Sequence, residues 1–322
     1  MKGNVRVSTA YAPQSRLESN AMNRSDIQWR RIATIVAVAL AAFAAGCSLL
    51  SATYNNGISL AAWQANSWFS LSSAQDADLR ARLEPLVAWH RTRQLDEYAD
   101  FLALVQSRIQ RRVEPADVSW LYAETRKRFK VLVDAAAPDA AALALTLTNA
   151  QVDRMEKRFA SRRKDFVADE VDVDPATARE KFVEQRIESV ERWLGNLDEF
   201  QRLRLTVIAM EMPNEPRLML EDRARRHREI TSLLRSGVGG GPEASSALEE
   251  GLKRIFGGWN DGRTPAYAEY ANRQTAAMQR YFADAMNMAN DRQRRHATQK
   301  LQGYIDELRR LAREVAGRGA GS

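Results

Sequence analysis

One cysteine and three histidines are the side chains of this 322-residue sequence best able to do chemistry, and their spacing argues against most of it. A thiolate can act as a nucleophile or a metal ligand, and an imidazole can carry protons or bind zinc. His90, His227 and His296 have no His or Cys at ligand spacing, and no HExxH pair is present. There is no G-x-S-x-G nucleophile elbow. The glycine run Ser236–Ser246, SGVGGGPEASS, lacks the Lys-Ser/Thr of a phosphate loop. Glu170, Asp172 and Asp174 alternate in ADEVDVDP without the glycine and distal Glu of a calcium loop, so they read as a solvated acidic loop. No catalytic residue, metal or cofactor is expected, and the chain does not read as an enzyme.

Cys47 is informative for another reason. It follows Ile32–Gly46, IATIVAVALAAFAAG, an apolar run preceded by Arg30 and Arg31 and closed by Ala44, Ala45 and Gly46. Fifteen uncharged residues fall short of the roughly 20 a membrane-spanning helix needs. A basic start, a short apolar middle and a small-residue end predict a signal peptide over 1–46. The segment before Met22 is polar and patternless, and Met22 is the expected translation start. A cysteine directly after the small residues resembles a bacterial lipoprotein signal, with Ala44 where Leu is usual. The resemblance implies acylation of Cys47, palmitate included, export to the periplasm and membrane anchoring through the lipid. Ser48, rather than Asp, follows the cysteine. By the sorting rule usual for such proteins this favours the inner leaflet of the outer membrane.

Without residues 1–46 the chain carries 42 basic against 39 acidic side chains, so its high isoelectric point says little about partners. Export excludes nucleic acid. The remaining 276 residues are enough for a real core without a disulfide.

One short pattern recurs. Leu71–Gln75 is LSSAQ, Leu147–Gln151 is LTNAQ, Leu197–Gln201 is LDEFQ, and Ala289–Gln293 is ANDRQ. Ser72, Thr148, Asp198 and Asn290 suit helix N-caps. Gln75, Gln151, Gln201 and Gln293 can each return a bond to the cap's own backbone N–H. Spacings this uneven exclude a stacked solenoid, so the four copies read as four helix starts.

Those starts belong to helices throughout. Leu95, Tyr98, Leu102, Val105 and Ile109 form one apolar stripe; Val183, Ile187, Val190, Leu194 and Leu197 form another. Leu301, Ile305, Leu308, Ala312 and Val315 form a third. Spacings of three and four predict amphipathic helices, and no stretch alternates with period two. The expected fold is all-α, a bundle of about 9–12 helices with no sheet. Residues 47–56 are expected as a lipidated tether, 57–236 as an N-terminal bundle and 237–246 as a linker. Residues 247–316 are expected as C-terminal helices on the same core, and 317–322 as a disordered tail. Ala137-Pro138 is expected at a helix end, and Trp259 in a loop over 257–264. His90 is expected near the bundle edge, and Trp63 and Phe69 as caps on the core. Basic clusters at Arg162-Arg163 and at Arg223–Arg228 have acids nearby and read as ion-paired helix faces.

Beyond the signal, the chain carries Tyr54-Asn55-Asn56, Trp63, Trp68, LSSAQ, Leu86–Arg91 (LVAWHR) and Leu95 with Tyr98-Ala99. Pro138-Asp139-Ala140-Ala141, LTNAQ, Arg158 and Arg162-Arg163 follow, then Arg192–Gly195 (RWLG), LDEFQ and Glu221–Arg226 (EDRARR). A C-terminal helical pair completes the pattern. This resembles a family of uncharacterised all-helical lipoproteins of Gram-negative bacteria, over most of residues 47–315. The resemblance implies a helical fold and a lipid anchor, and no activity. The L-[ST]-x-x-Q element is also similar to that of small Spy-type periplasmic chaperones. The expected role is a non-enzymatic binding or scaffold module of the envelope, with envelope proteins or unfolded clients as partners. The alternatives are a periplasmic chaperone and an enzyme whose site is assembled across helices.

Overall fold

The computed structural model describes residues 47–258 and 261–319. The expected signal segment with Met22, the loop residue Trp259 and residues 320–322 lie outside the described residues. Those that are described form twelve α-helices and no strand, and 86% of them are helical, against roughly a third in a typical globular protein.

In chain order the helices are α1 (Cys47–Asn55), α2 (Gly57–Phe69), α3 (Ser73–Arg93) and α4 (Leu95–Ile109). Then come α5 (Pro115–Leu145), α6 (Asn149–Phe166), α7 (Pro175–Leu194) and α8 (Glu199–Met210). The last four are α9 (Pro216–Gly237), α10 (Pro242–Leu252), α11 (Pro265–Met288) and α12 (Asp291–Gly319). Single wide π turns extend α6 over Val167–Val171 and α10 over Lys253–Gly257. The first of these takes up part of the expected acidic loop; Glu170 pairs with Lys181 at 3.2 Å and Asp174 caps α7.

The apolar stripes pack into three buried clusters. One joins Val183, Ile187 and Leu194 of α7 to Leu205 of α8 and Tyr281 of α11. A second joins Leu50 of α1, Leu95 and Leu102 of α4, and Leu301, Ile305 and Leu308 of α12. The third joins Ala141 of α5, Val152 and Phe159 of α6, Leu234 of α9 and Leu248 of α10. All three clusters draw on residues from widely separated parts of the sequence.

Several expected boundaries differ. The tether is helical: Leu50 is 3% exposed in the second cluster, and Ser51 hydrogen-bonds Glu307 and Arg310 of α12. Leu50 and Tyr54 stand one helical turn apart and face the bundle, which is enough to dock α1. The expected linker shrinks to Val238–Gly241, with α10 beginning at Pro242 in the first helical position. Glycine permits this tight hairpin. A Cβ on Gly237 would stand 2.5 Å from Leu248, and one on Gly251 2.5 Å from Leu233. The expected tail is helical through Gly319, because the ladder of α12 runs on from the buried turns at Leu308, Leu311 and Ala312. Helix α5 also continues through Pro138. Proline there removes one ladder bond, while Ala137 and Ala141 beside it are buried and hold the helix by packing. Trp63 is 59% exposed rather than a core cap. Among the described residues no single helix is long and apolar enough to cross a membrane; α5 and α6 with its π turn pass that test only as a pair bent by 117°.

Candidate functional site

Four capping boxes sit at the starts of α3, α6, α8 and α12. Gln75 N–H donates to Ser72 Oγ at 3.2 Å, and Gln151 N–H to Thr148 Oγ1 at 3.3 Å. Gln201 N–H donates to Asp198 Oδ1 at 2.8 Å, and Gln293 N–H to Asn290 Oδ1 at 3.0 Å. Each glutamine Oε1 accepts the N–H of its own cap in return. The local chemistry of the repeat is therefore that of a helix start.

The glutamines then do something local chemistry does not require. Gln75 and Gln151 donate their amide N–H groups to each other's Oε1, at 3.2 and 2.7 Å. Gln201 and Gln293 do the same at 2.8 Å in both directions. Each Nε2 also reaches the carbonyl two residues before the partner's cap: Thr146, Ser70, Met288 and Asn196. A glutamine amide has two acceptor positions and two donors, and in each pair all are used. The same junction is thus built twice, once half-buried and once with Gln201 and Gln293 only 4% and 2% exposed. The four glutamines position helices; they offer no reactive group.

An apolar opening lies elsewhere. A cavity of about 570 Å³ runs between α4, α5, α7 and α12, within the roughly 300–1,000 Å³ of small-molecule sites. Its walls are mainly apolar, including Leu102, Val105, Leu121, Phe129, Trp193 and Leu301. A buried water needs two to four polar partners, so such walls favour an apolar guest over solvent.

A few polar groups punctuate the wall. Tyr54 on α1 and His90 on α3 hydrogen-bond at 3.0 Å through the phenol and Nδ1. His90 is 8% exposed, not at the bundle edge as expected, because Tyr54 and Tyr98 enclose its ring. Burial holds the imidazole down to about 4, so it is neutral near pH 7. Burial, with the neighbouring Tyr98, raises the Tyr54 phenol well above its usual range. Tyr98 is pushed up to about 12 by burial and by Glu97. Arg108 stacks over Trp120 at 3.9 Å and Arg128 over Phe101 at 4.1 Å. Asp117 binds Arg108 at 2.5 Å and Arg111 at 2.7 Å. The backbone N–H of Glu114, then those arginines, lower its carboxyl to about 2. Asp117 thereby offsets the charge of the arginines it binds, and the remaining lining is mainly hydrocarbon.

Leu50 and Tyr54 of α1 are part of this wall. Cys47 is the first residue of α1, less than one helical turn before Leu50. The candidate lipidation position and the cavity thus share one short helix.

The histidines do not converge. His227 lies against α6, stacked on Phe159 at 3.8 Å, and His296 is on α12. Among the described residues no group of three His, Cys, Asp or Glu could hold a metal ion. Helix α8 carries exposed apolar side chains at Phe200, Leu203, Val207 and Met210, one continuous outward stripe. Sequence reasoning missed the cavity and this stripe. The stripe had a signal, since those four residues repeat at helical spacing opposite buried Leu205 and Ala209.

The model of a family described as a family of unknown function (DUF6279) matches residues 67–255. Comparison with curated proteins found no match, and comparison with solved structures found none either.

Proposed function

The chain belongs to DUF6279, a family of unknown function, and we propose that it is a lipid-anchored, non-enzymatic binding module of the cell envelope. Its cavity holds an apolar, chain-like ligand such as a fatty acyl group. The observation that carries this reading is the 570 Å³ apolar cavity. An enzyme would need convergent, accessible titratable groups. Here His90 is buried and held by Tyr54, while Asp117 is spent on two arginines. Acylation of Cys47 tethers α1, and with it one wall of the cavity, at the periplasmic face of the outer membrane. Proximity to the bilayer supplies a high local concentration of acyl ligands.

The test is native mass spectrometry of the chain purified from membranes with and without mild delipidation. The proposal predicts a mass increment on Cys47 and a separable, non-covalent apolar ligand. A chain without either increment would contradict it.

The exposed stripe Phe200, Leu203, Val207 and Met210 favours a second reading, a holdase for unfolded clients. Suppression of client aggregation by the wild type, lost in Phe200→Ser/Leu203→Ser, would select it.

A further inference from the structure

The apolar stripe of α8 has the spacing of a helix-pairing seam. Phe200, Leu203, Val207 and Met210 follow one another at intervals of three, four and three residues, the alternation of the two inward positions of a coiled-coil heptad. They are 67%, 61%, 48% and 50% exposed. The opposite face of the helix is already used: Gln201 pairs with Gln293, and Leu205 and Ala209 lie in the first buried cluster. By their fractional exposures the four side chains offer on the order of 400 Å² of apolar surface, the size of the largest patch on a typical monomer.

The flanks of the stripe carry charges of both signs. Arg204 and Glu211 stand beside the seam on one side, one heptad apart, and Glu199 and Thr206 on the other. Glu199, Arg204 and Glu211 are exposed. Among the described residues neither the Arg204 guanidinium nor the Glu211 carboxylate has an ion pair or side-chain hydrogen bond, whereas neighbouring Arg202 is bound by Glu184 and Glu191. When two copies of α8 lie antiparallel, Phe200 meets Met210 of the second copy and Leu203 meets Val207, each twice. In that register Arg204 faces Glu211 of the second copy, again twice, and Glu199 faces Thr206, so no like charges meet.

We propose that α8 is a homodimer seam, covered by α8 of a second copy of this chain in antiparallel orientation. The stripe and its charged flank are self-complementary, as a two-fold interface requires. The antiparallel arrangement also sets each helix N-terminus beside the other's C-terminus, so the helix dipoles attract. Other occupants fit less well. An unfolded client uses neither the heptad spacing nor the opposed charges, and an anionic membrane surface is repelled by Glu199 and Glu211 at the ends of the stripe. The patch is smaller than the roughly 800 Å² each partner buries in a standard stable interface, so the dimer is weak and depends on concentration. The seam stands independently of the apolar cavity and its ligand.

The experiment coexpresses two differently tagged full-length chains and oxidises intact cells with copper phenanthroline. One chain carries Leu203→Cys and the other Val207→Cys, positions that oppose each other in the antiparallel register and not in the parallel one. Chains without the added cysteines give the background from Cys47. A disulfide joining the two tags is expected at least fivefold above same-tag dimers, since the bond forms only between closely opposed positions. Arg204→Glu in both copies, or Glu211→Arg in both, should lower the yield at least threefold by setting like charges opposite each other. The two changes together exchange the pair and should restore the yield. All of these positions are exposed, so helix content should stay unchanged in every variant. An excess of same-tag disulfides, no dimer above background, failure of the double exchange to restore it, or links solely to other proteins, as a client site gives, would overturn the proposal.

Discussion

Gln201 and Gln293 exchange two side-chain amide hydrogen bonds of 2.8 Å across 92 positions of sequence. Both also close capping boxes, so one buried contact fixes the starts of α8 and α12 together. Leucine at either position leaves the partner amide unsatisfied in the core. Gln201→Leu should cost about 2 kcal/mol. The half-buried Gln75→Leu should cost less, because water can replace its partner. A double-mutant cycle on Gln201 and Gln293 should give a coupling of about 1 kcal/mol or more. Equal losses at the two junctions in urea unfolding would show that burial of the second pair adds nothing, and a coupling near zero would show that pairing adds nothing to capping.

The cap itself is separable from the pair. Thr148→Ala removes the acceptor for Gln151 N–H and should cost about 1 kcal/mol. Asn149→Ala, one position inside α6, should cost little. Chemical denaturation that ranks the two equally would refute a capping role for LTNAQ.

His90 predicts a pH dependence. Its folded value of about 4 lies below the usual value of 6.5. The unfolded chain therefore binds a proton that the folded chain refuses. The stability from neutral His90 is full above about pH 6.5 and is lost as pH falls toward 4. A shift of this size corresponds to about 3 kcal/mol at most. Stability measured at pH 7.5 and 4.5 should fall, and His90→Gln should fall less over the same interval. Parallel losses in the two proteins would assign the effect to other groups.

Anchoring rests on Cys47. Cys47→Ser should abolish incorporation of labelled fatty acid, and the processed chain should leave the membrane fraction. Retention of the processed Cys47→Ser protein on membranes would contradict acylation there.

The helices and their starts were legible in the sequence because both are local. A stripe such as Val183, Ile187, Val190 and Leu194 shows its period within three turns, and a cap and its glutamine are three residues apart. What was not legible depends on contacts between distant segments. Nothing in LDEFQ shows that Gln201 meets Gln293. Leu50 and Tyr54 have helical spacing, but their place beside Cys47 suggested a tether, and only Leu301, Leu308 and His90 explain their docking. The cavity was hidden for a related reason. Leu102 and Leu301 belong to ordinary amphipathic stripes, and periodicity alone does not tell a wall that closes from one that leaves space. The basic clusters show the same limit: Arg162 and Arg223 each read as members of ion-paired helix faces, and only the packing of α6 on α9 brings them together.

Binding of an acyl chain in the cavity is open to titration with cis-parinaric acid. Val105 lines the cavity and is only partly buried, so Val105→Trp should fill the space while leaving helix content unchanged. Saturable fluorescence enhancement near one ligand per chain is expected in the wild type, displaced by unlabelled fatty acid and reduced at least tenfold in Val105→Trp. Undiminished binding in a folded Val105→Trp protein, or no saturable binding by the wild type after delipidation, would contradict it.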